Sequence, residues 1–146
     1  MATNSAIDTL VELATTQADE AAKRLGLAIR ACEDSEQKLA LLLQYRDDYQ
    51  ARFQSGLVSG LTAAAYRNFR NFMDKLDLAI SGQQQIVDDA KRRIQQERST
   101  WQETERKRMS YDTLAGRALR EQQRKESRRD QKAMDEFATR ASLPKT

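Results

Sequence analysis

Histidine is absent from the 146 residues. That removes the side chain most used as a general base near neutral pH and the commonest metal ligand. A single cysteine, Cys32, excludes an internal disulfide and fits a reducing compartment. One proline and five glycines leave few places where a helix must stop. Aromatic residues make up 6% of the chain, too few to fill a globular core. No apolar stretch approaches the ~20 residues needed to span a bilayer. The opening, MATNSAIDTL, lacks the basic and apolar regions of a signal peptide. These absences predict a cytoplasmic protein with no direct membrane insertion.

Catalytic signals are equally scarce. No glycine loop resembles a nucleotide cradle. Asp47-Asp48 and Asp88-Asp89 are adjacent pairs, so on a helix their carboxylates point to different sides and form no dyad. Cys32 reads as a small core residue, not a nucleophile. The chain is expected to be no enzyme, with no cofactor and no metal.

What the chain does have is an apolar step of 3 then 4 residues, held in phase. The first run is Ile7, Val11, Ala14, Ala18, Ala21, Leu25, Ala28, Cys32, Ser35, Leu39, Leu42, Arg46, Tyr49, Phe53. The second is Phe69, Met73, Leu76, Ile80, Gln83, Val87, Ala90, Ile94, Glu97, Trp101, Thr104, Arg108, Tyr111, Ala115, Ala118. Alternating 3 and 4 averages about 3.5 residues per turn, the period that keeps a seam facing a partner helix in a left-handed supercoil. The unbroken phase argues against disorder, although 32% of the residues are charged.

The fold class that follows is all-α: a long antiparallel two-helix coiled-coil hairpin with a C-terminal helical extension, in a single domain over 1–146. Helix one is expected at about 5–54, with Ser5 as N-cap and Asp8 three residues on. At 1.5 Å per residue it measures roughly 75 Å. The turn falls at about 55–61, where two serines and two glycines interrupt the pattern. Helix two covers about 62–142, capped by Thr62 and ended by Pro144. Ser81-Gly82 predicts a local bend without a break.

Folding the chain about residue 61 pairs Phe53 with Phe69, Leu42 with Ile80, Ala28 with Ile94 and Trp101 with Ala21, large against small in the last case. Charge sorts by arm: residues 1–50 are net −4 and residues 84–132 net +5. Opposite signs favour pairing, each exposed pair by under about 1 kcal/mol. The second helix outlasts the first, so Glu121 onward projects beyond the pair or folds back.

Two regions are not bland. Tyr45, Tyr49, Phe53, Tyr66, Phe69 and Phe72 crowd around the turn, and no aromatic precedes Tyr45. Leu42, Tyr45 and Tyr49 form one stripe; Phe72, Leu76 and Ala79 form another. The stripes either widen the core where the hairpin closes or make an aromatic docking patch. Arg117, Arg120, Arg124, Lys125, Arg128, Arg129 and Lys132 form a basic run, interrupted by Glu121, Glu126 and Asp130. It reads as a solvated helix face or an anionic-partner site. Without interleaved aromatics, and with a net charge of only +3, it is weak as a nucleic-acid interface. Beyond it, Met134, Phe137, Ala138 and Ala141 make a short apolar stripe suited to binding a partner.

The stretch from Arg129 through Asp130-Gln131-Lys132 and Met134-Asp135-Glu136-Phe137-Ala138 to Ala141 resembles the ending of the flagellar export protein FliJ. The opening, Leu10-Val11-Glu12-Leu13-Ala14 and Asp19-Glu20-Ala21-Ala22-Lys23-Arg24-Leu25-Gly26, is similar to that family's start, so the resemblance spans nearly the whole chain. It implies a two-helix coiled coil like that of the rotary ATP synthase gamma subunit, working in flagellar type III protein export at the cytoplasmic face of the inner membrane. Its implied partners are the export ATPase hexamer, which FliJ proteins help to assemble, the export gate protein FlhA, and export chaperones that they escort. By the same resemblance, Leu42, Tyr45, Tyr49, Phe72, Leu76 and Ala79 match the gate-binding positions. Lys38 and Gln83 extend the two stripes and depart from what the family often carries. Analogy with the gamma subunit points to Leu13, Glu20, Arg24, Arg120, Arg124, Arg128 and Arg129 for the ATPase. The rival readings are a generic coiled-coil adaptor or chaperone and a nucleic-acid binder.

Overall fold

The computed structural model describes residues 2–143, with side chains from Ala6 onward. Two helices account for nearly all of it, α1 over Ala2–Val58 and α2 over Ala63–Ser142, with no strand among the described residues. The fold is all-α, as the repeat predicts. Contacts group the chain into two units, one comprising Ala21–Trp101 and the other the segments up to Glu20 and from Gln102 onward.

The middle unit, Ala21–Trp101, holds the turn. Helix α1 runs four residues past the expected end and stops only where the sequence forces it. Gly56 is tolerated inside the last turn, and Gly60 alone takes a left-handed backbone, φ 87°. The Ser59 and Gly60 amides donate to the Gly56 and Leu57 carbonyls at 3.2 and 3.3 Å, tightening the helix end. Thr62 then caps α2 as expected, its Oγ1 accepting from the Ala65 amide at 3.1 Å. At the other end of α1 the Ser5 cap is corrected. The helix already begins at Ala2, since Ala2, Thr3 and Asn4 include neither Gly nor Pro to hold it off. No acid therefore sits in the first turn, and Asp8 lies beyond the reach of the helix end. The stop expected at Pro144 lies outside the described residues.

Within the middle unit the seam is the one the repeat describes. Ala21, Ala28, Cys32, Leu76, Ile80 and Val87 are buried. One polar contact of the seam crosses the pair and another stays within α1. Gln83 Nε2 donates to the Ser35 carbonyl at 2.9 Å, and the buried Ser35 hydroxyl donates to the Cys32 carbonyl at 2.8 Å. Such a layer fixes register, because a slip would strand polar groups in an apolar seam. Arg46 lies 3.0 Å from Asp77 through its Nε, out of line for a hydrogen bond but close as an ion pair, and Arg24 reaches Glu97 at 3.7 Å. With Phe53 stacked on Phe69 at 3.7 Å, these pairs follow the predicted antiparallel register. Both helices run unbroken through their interior glycines, Ser81-Gly82 included.

In the other unit Ala14 and Ala18 are buried, while Ile7, Val11, Tyr111, Ala115 and Ala118 are half-buried. Arg108 occupies a seam position there. It is held by its own helix, forking onto Glu105 at 2.9 and 3.2 Å and reaching Asp112 at 3.1 Å. The hydrogen bond from Arg108 lowers the Glu105 carboxyl below its usual range. From Gln123 to Leu143 every residue is exposed while the helix continues to Ser142, which is the extension expected from the unequal arms.

Candidate interaction sites

Aromatic side chains near the turn form a ladder across the two helices. Tyr45 meets Phe72 with ring centroids 6.0 Å apart, and Phe72 meets Tyr49 at 4.3 Å. Tyr49 stacks on Phe69 at 5.5 Å, Phe69 on Phe53 at 3.7 Å, and Phe53 meets Tyr66 at 6.0 Å. The two stripes read from the sequence therefore do lie together, but unequally in solvent. Leu76 is 7% exposed and belongs to the core. Leu42, Tyr49 and Phe72 are half-buried, while Tyr45 and Ala79 are exposed. The outward face is thus built by Tyr45, Ala79 and the edges of Leu42, Tyr49 and Phe72, with Leu76 setting the base beneath them.

Beside this face an open apolar hollow of about 380 Å³ is lined by Lys38, Leu41, Leu42, Tyr45 and Gln83. Leu41, 66% exposed, escaped the sequence reading because it lies one position off the seam, where a lone leucine carries no periodic signal. Lys38 and Gln83 differ in role. Lys38 is exposed, whereas Gln83 is tied to the Ser35 backbone across the seam.

The residues expected to meet the ATPase are divided between the two units. Arg24 belongs to the middle unit and is committed to Glu97. Leu13 and Glu20 are exposed on α1 in the other unit, as are Arg120, Arg124, Arg128 and Arg129 on α2. Arg117, Arg120, Glu121 and Arg124 line a polar hollow, and Arg120 Nε donates to the Gly116 carbonyl at 3.3 Å. Arg124, Arg128 and Arg129 make no ion pair among the described residues, so their charge is available to an acidic surface.

Among the described residues no group of three or more Cys, Asp or Glu could hold a metal. Cys32 is buried, and burial first, then the charge and hydrogen bond of Glu36 and the charge of Glu33, push its thiol up against a smaller opposing pull from Lys91. A thiolate is the reactive form, so this sulfur is held inert. In the folded chain Cys32 is expected to resist a maleimide at mildly alkaline pH and to label at once in denaturant. Prompt labelling of the folded protein would show that the seam opens there.

The model of the flagellar FliJ protein family matches residues 3–145. This chain belongs to that family. It is 31% identical to the flagellar FliJ protein of Escherichia coli K12 over 145 residues, covering 99% of both chains. With the flagellar FliJ protein of Salmonella typhi it shares 30% identity, again over 99% of both chains. A FliJ chain is thus matched end to end, extension included. The stretch that most specifically resembles FliJ, 129–141, packs against nothing among the described residues, with Met134 and Phe137 respectively 68% and 75% exposed. Among the described residues no helix is long and apolar enough to cross a membrane.

Proposed function

We propose that this chain is a non-enzymatic, stalk-like component of the flagellar type III export apparatus at the cytoplasmic face of the inner membrane. In this reading it binds the export ATPase and promotes its hexamer, couples it to the gate protein FlhA, and escorts export chaperones. The observation that carries the reading is full-length FliJ membership in a chain whose chemistry lies outside its core. Two surfaces are assigned to partners: the aromatic ladder beside the turn and the arginines of α2 that make no ion pair among the described residues. The ladder is assigned to the gate. Rings that meet across two helices present apolar area at low entropic cost, which suits an anchor. The arginines are assigned to the ATPase. Guanidinium groups without internal partners keep their forks for carboxylates on another protein.

The test is the ATP hydrolysis rate of the cognate export ATPase with and without this protein, at about one copy per hexamer. Stimulation accompanied by hexamer formation is the expected result. Changing Arg124, Arg128 and Arg129 together to Glu is expected to remove most of it while leaving helicity intact, because three attractive charges become repulsive. Full stimulation by that triple variant would return the run to a solvated helix face. No stimulation by the folded wild type would leave a coiled-coil adaptor.

A further inference from the structure

Helix α1 carries a second seam along the flank of the first. Asp34, Lys38, Leu41, Tyr45, Asp48 and Arg52 follow one another at 4, 3, 4, 3 and 4 residues, the same alternation that builds the internal pair. All six are exposed, although Tyr45 also meets Phe72 of α2 and Gln83 of α2 borders the hollow beside them. Leu41 and Tyr45 remain 66% and 56% exposed. None of the four charged members forms an ion pair among the described residues.

The surface along this seam already has the shape a partner helix needs. In knobs-into-holes packing each knob enters a hole made by four residues at i, i+3, i+4 and i+7. The hollow of about 380 Å³ is lined on α1 by Lys38, Leu41, Leu42 and Tyr45, which is such a hole. A smaller one of about 40 Å³, next along the helix, is lined by Tyr45, Asp48, Tyr49 and Arg52 in the same spacing. Two consecutive holes stand open on one helix face.

From these features we infer that a second copy of this chain docks here, the two α1 helices running antiparallel about a two-fold axis at the level of residue 43. That axis sets Leu41 opposite Tyr45, Lys38 opposite Asp48 and Asp34 opposite Arg52, each pair occurring twice. Every charge meets its opposite, which a parallel arrangement would turn into like-on-like contacts. The same register brings the partner's Tyr45 over the larger hole. It brings the partner's Lys38 over the smaller one, where its stem crosses the Tyr45 and Tyr49 rings and its ammonium meets Asp48. A self-complementary patch of this kind is what an isologous interface requires. Six residues per copy make a small interface, so the dimer is transient, with a dissociation constant on the order of 100 µM. Tyr45 is shared with the face assigned above to the gate, so dimer and gate complex would exclude each other, but self-docking does not depend on that assignment.

Sedimentation of the isolated full-length chain from about 5 µM to about 1 mM, at low salt, tests this. The expected result is a monomer converting to dimer across the range. Lys38→Asp alone or Asp48→Lys alone should weaken the dimer by about tenfold or more, since each creates two like-charge contacts. The double variant Lys38→Asp with Asp48→Lys should restore it. Both positions are exposed and without ion pairs, so circular dichroism should report wild-type helicity throughout. A chain that stays monomeric to the top of the range overturns the inference. So does a dimer indifferent to the single changes, or one that the double variant fails to recover.

Discussion

Ile80→Asp is expected to unfold the paired helices of the middle unit, whereas Leu78→Asp, two residues away, should be nearly silent. Ile80 is 7% exposed on the seam and Leu78 is 74% exposed on the outer face. The first change removes about 2–3 kcal/mol of apolar burial and places a carboxylate in the apolar seam, for a total of about 4 kcal/mol or more. That rivals the ~5–15 kcal/mol by which a domain of this size is stable. The second change alters a solvated position and should stay within about 0.5 kcal/mol. Ile80→Val, which removes one methylene, should lose about 0.5–1.5 kcal/mol. Acid works in a definite direction. A carboxyl that burial raises above its usual range is protonated as the pH falls, so part of the lost stability of Ile80→Asp should return on acidification. Urea melts of the three variants followed by circular dichroism check the order. Comparable losses from Ile80→Asp and Leu78→Asp would mean that α2 is not seated by this face.

The reason Ile80 and Leu78 can be told apart in the sequence is that a heptad is a local property. Each seam residue announces itself by its neighbours three and four away, and polar members do not break the phase. Ser35, Arg46, Gln83, Glu97 and Arg108 all fall on the seam, and all are at least half-buried. Register was legible too, because only one fold point keeps both runs facing each other, and Phe53 against Phe69 confirms it. Helix ends were less legible. Gly56 looks like a terminator in sequence but is only a weak helix former, and the left-handed residue is Gly60. At Ser5 a capping side chain suggested a start that nothing upstream required. Surface was the least legible of all. Leu76 satisfies both the seam and the stripe pattern, and only packing decides that it is core. The second seam on α1 alternates apolar and charged pairs, so composition masks it until exposure and the open holes are seen.

The other large effect is expected in binding. Phe72→Ala should weaken association with the cytoplasmic part of the export gate protein by about tenfold or more, with helicity retained. Leu76→Ala should act first on stability, by about 2–5 kcal/mol, as a buried leucine does. The difference follows from where the two side chains sit. Phe72 is half-buried and lies between Tyr45 at 6.0 Å and Tyr49 at 4.3 Å, so its loss leaves Tyr45 without its ring neighbour and Tyr49 held by Phe69 alone. An anchor works when it is rigid before the partner arrives, and restoring that rigidity on binding subtracts from affinity. Leu76 offers a partner almost no surface, so its truncation weakens the platform without removing a contact. Titrating the gate fragment against each variant, beside a urea melt of each, separates the two. A Phe72→Ala protein that melts as early as Leu76→Ala and still binds the gate at full strength would make the rings part of the core. The face on which this chain meets its gate would then have to be sought elsewhere.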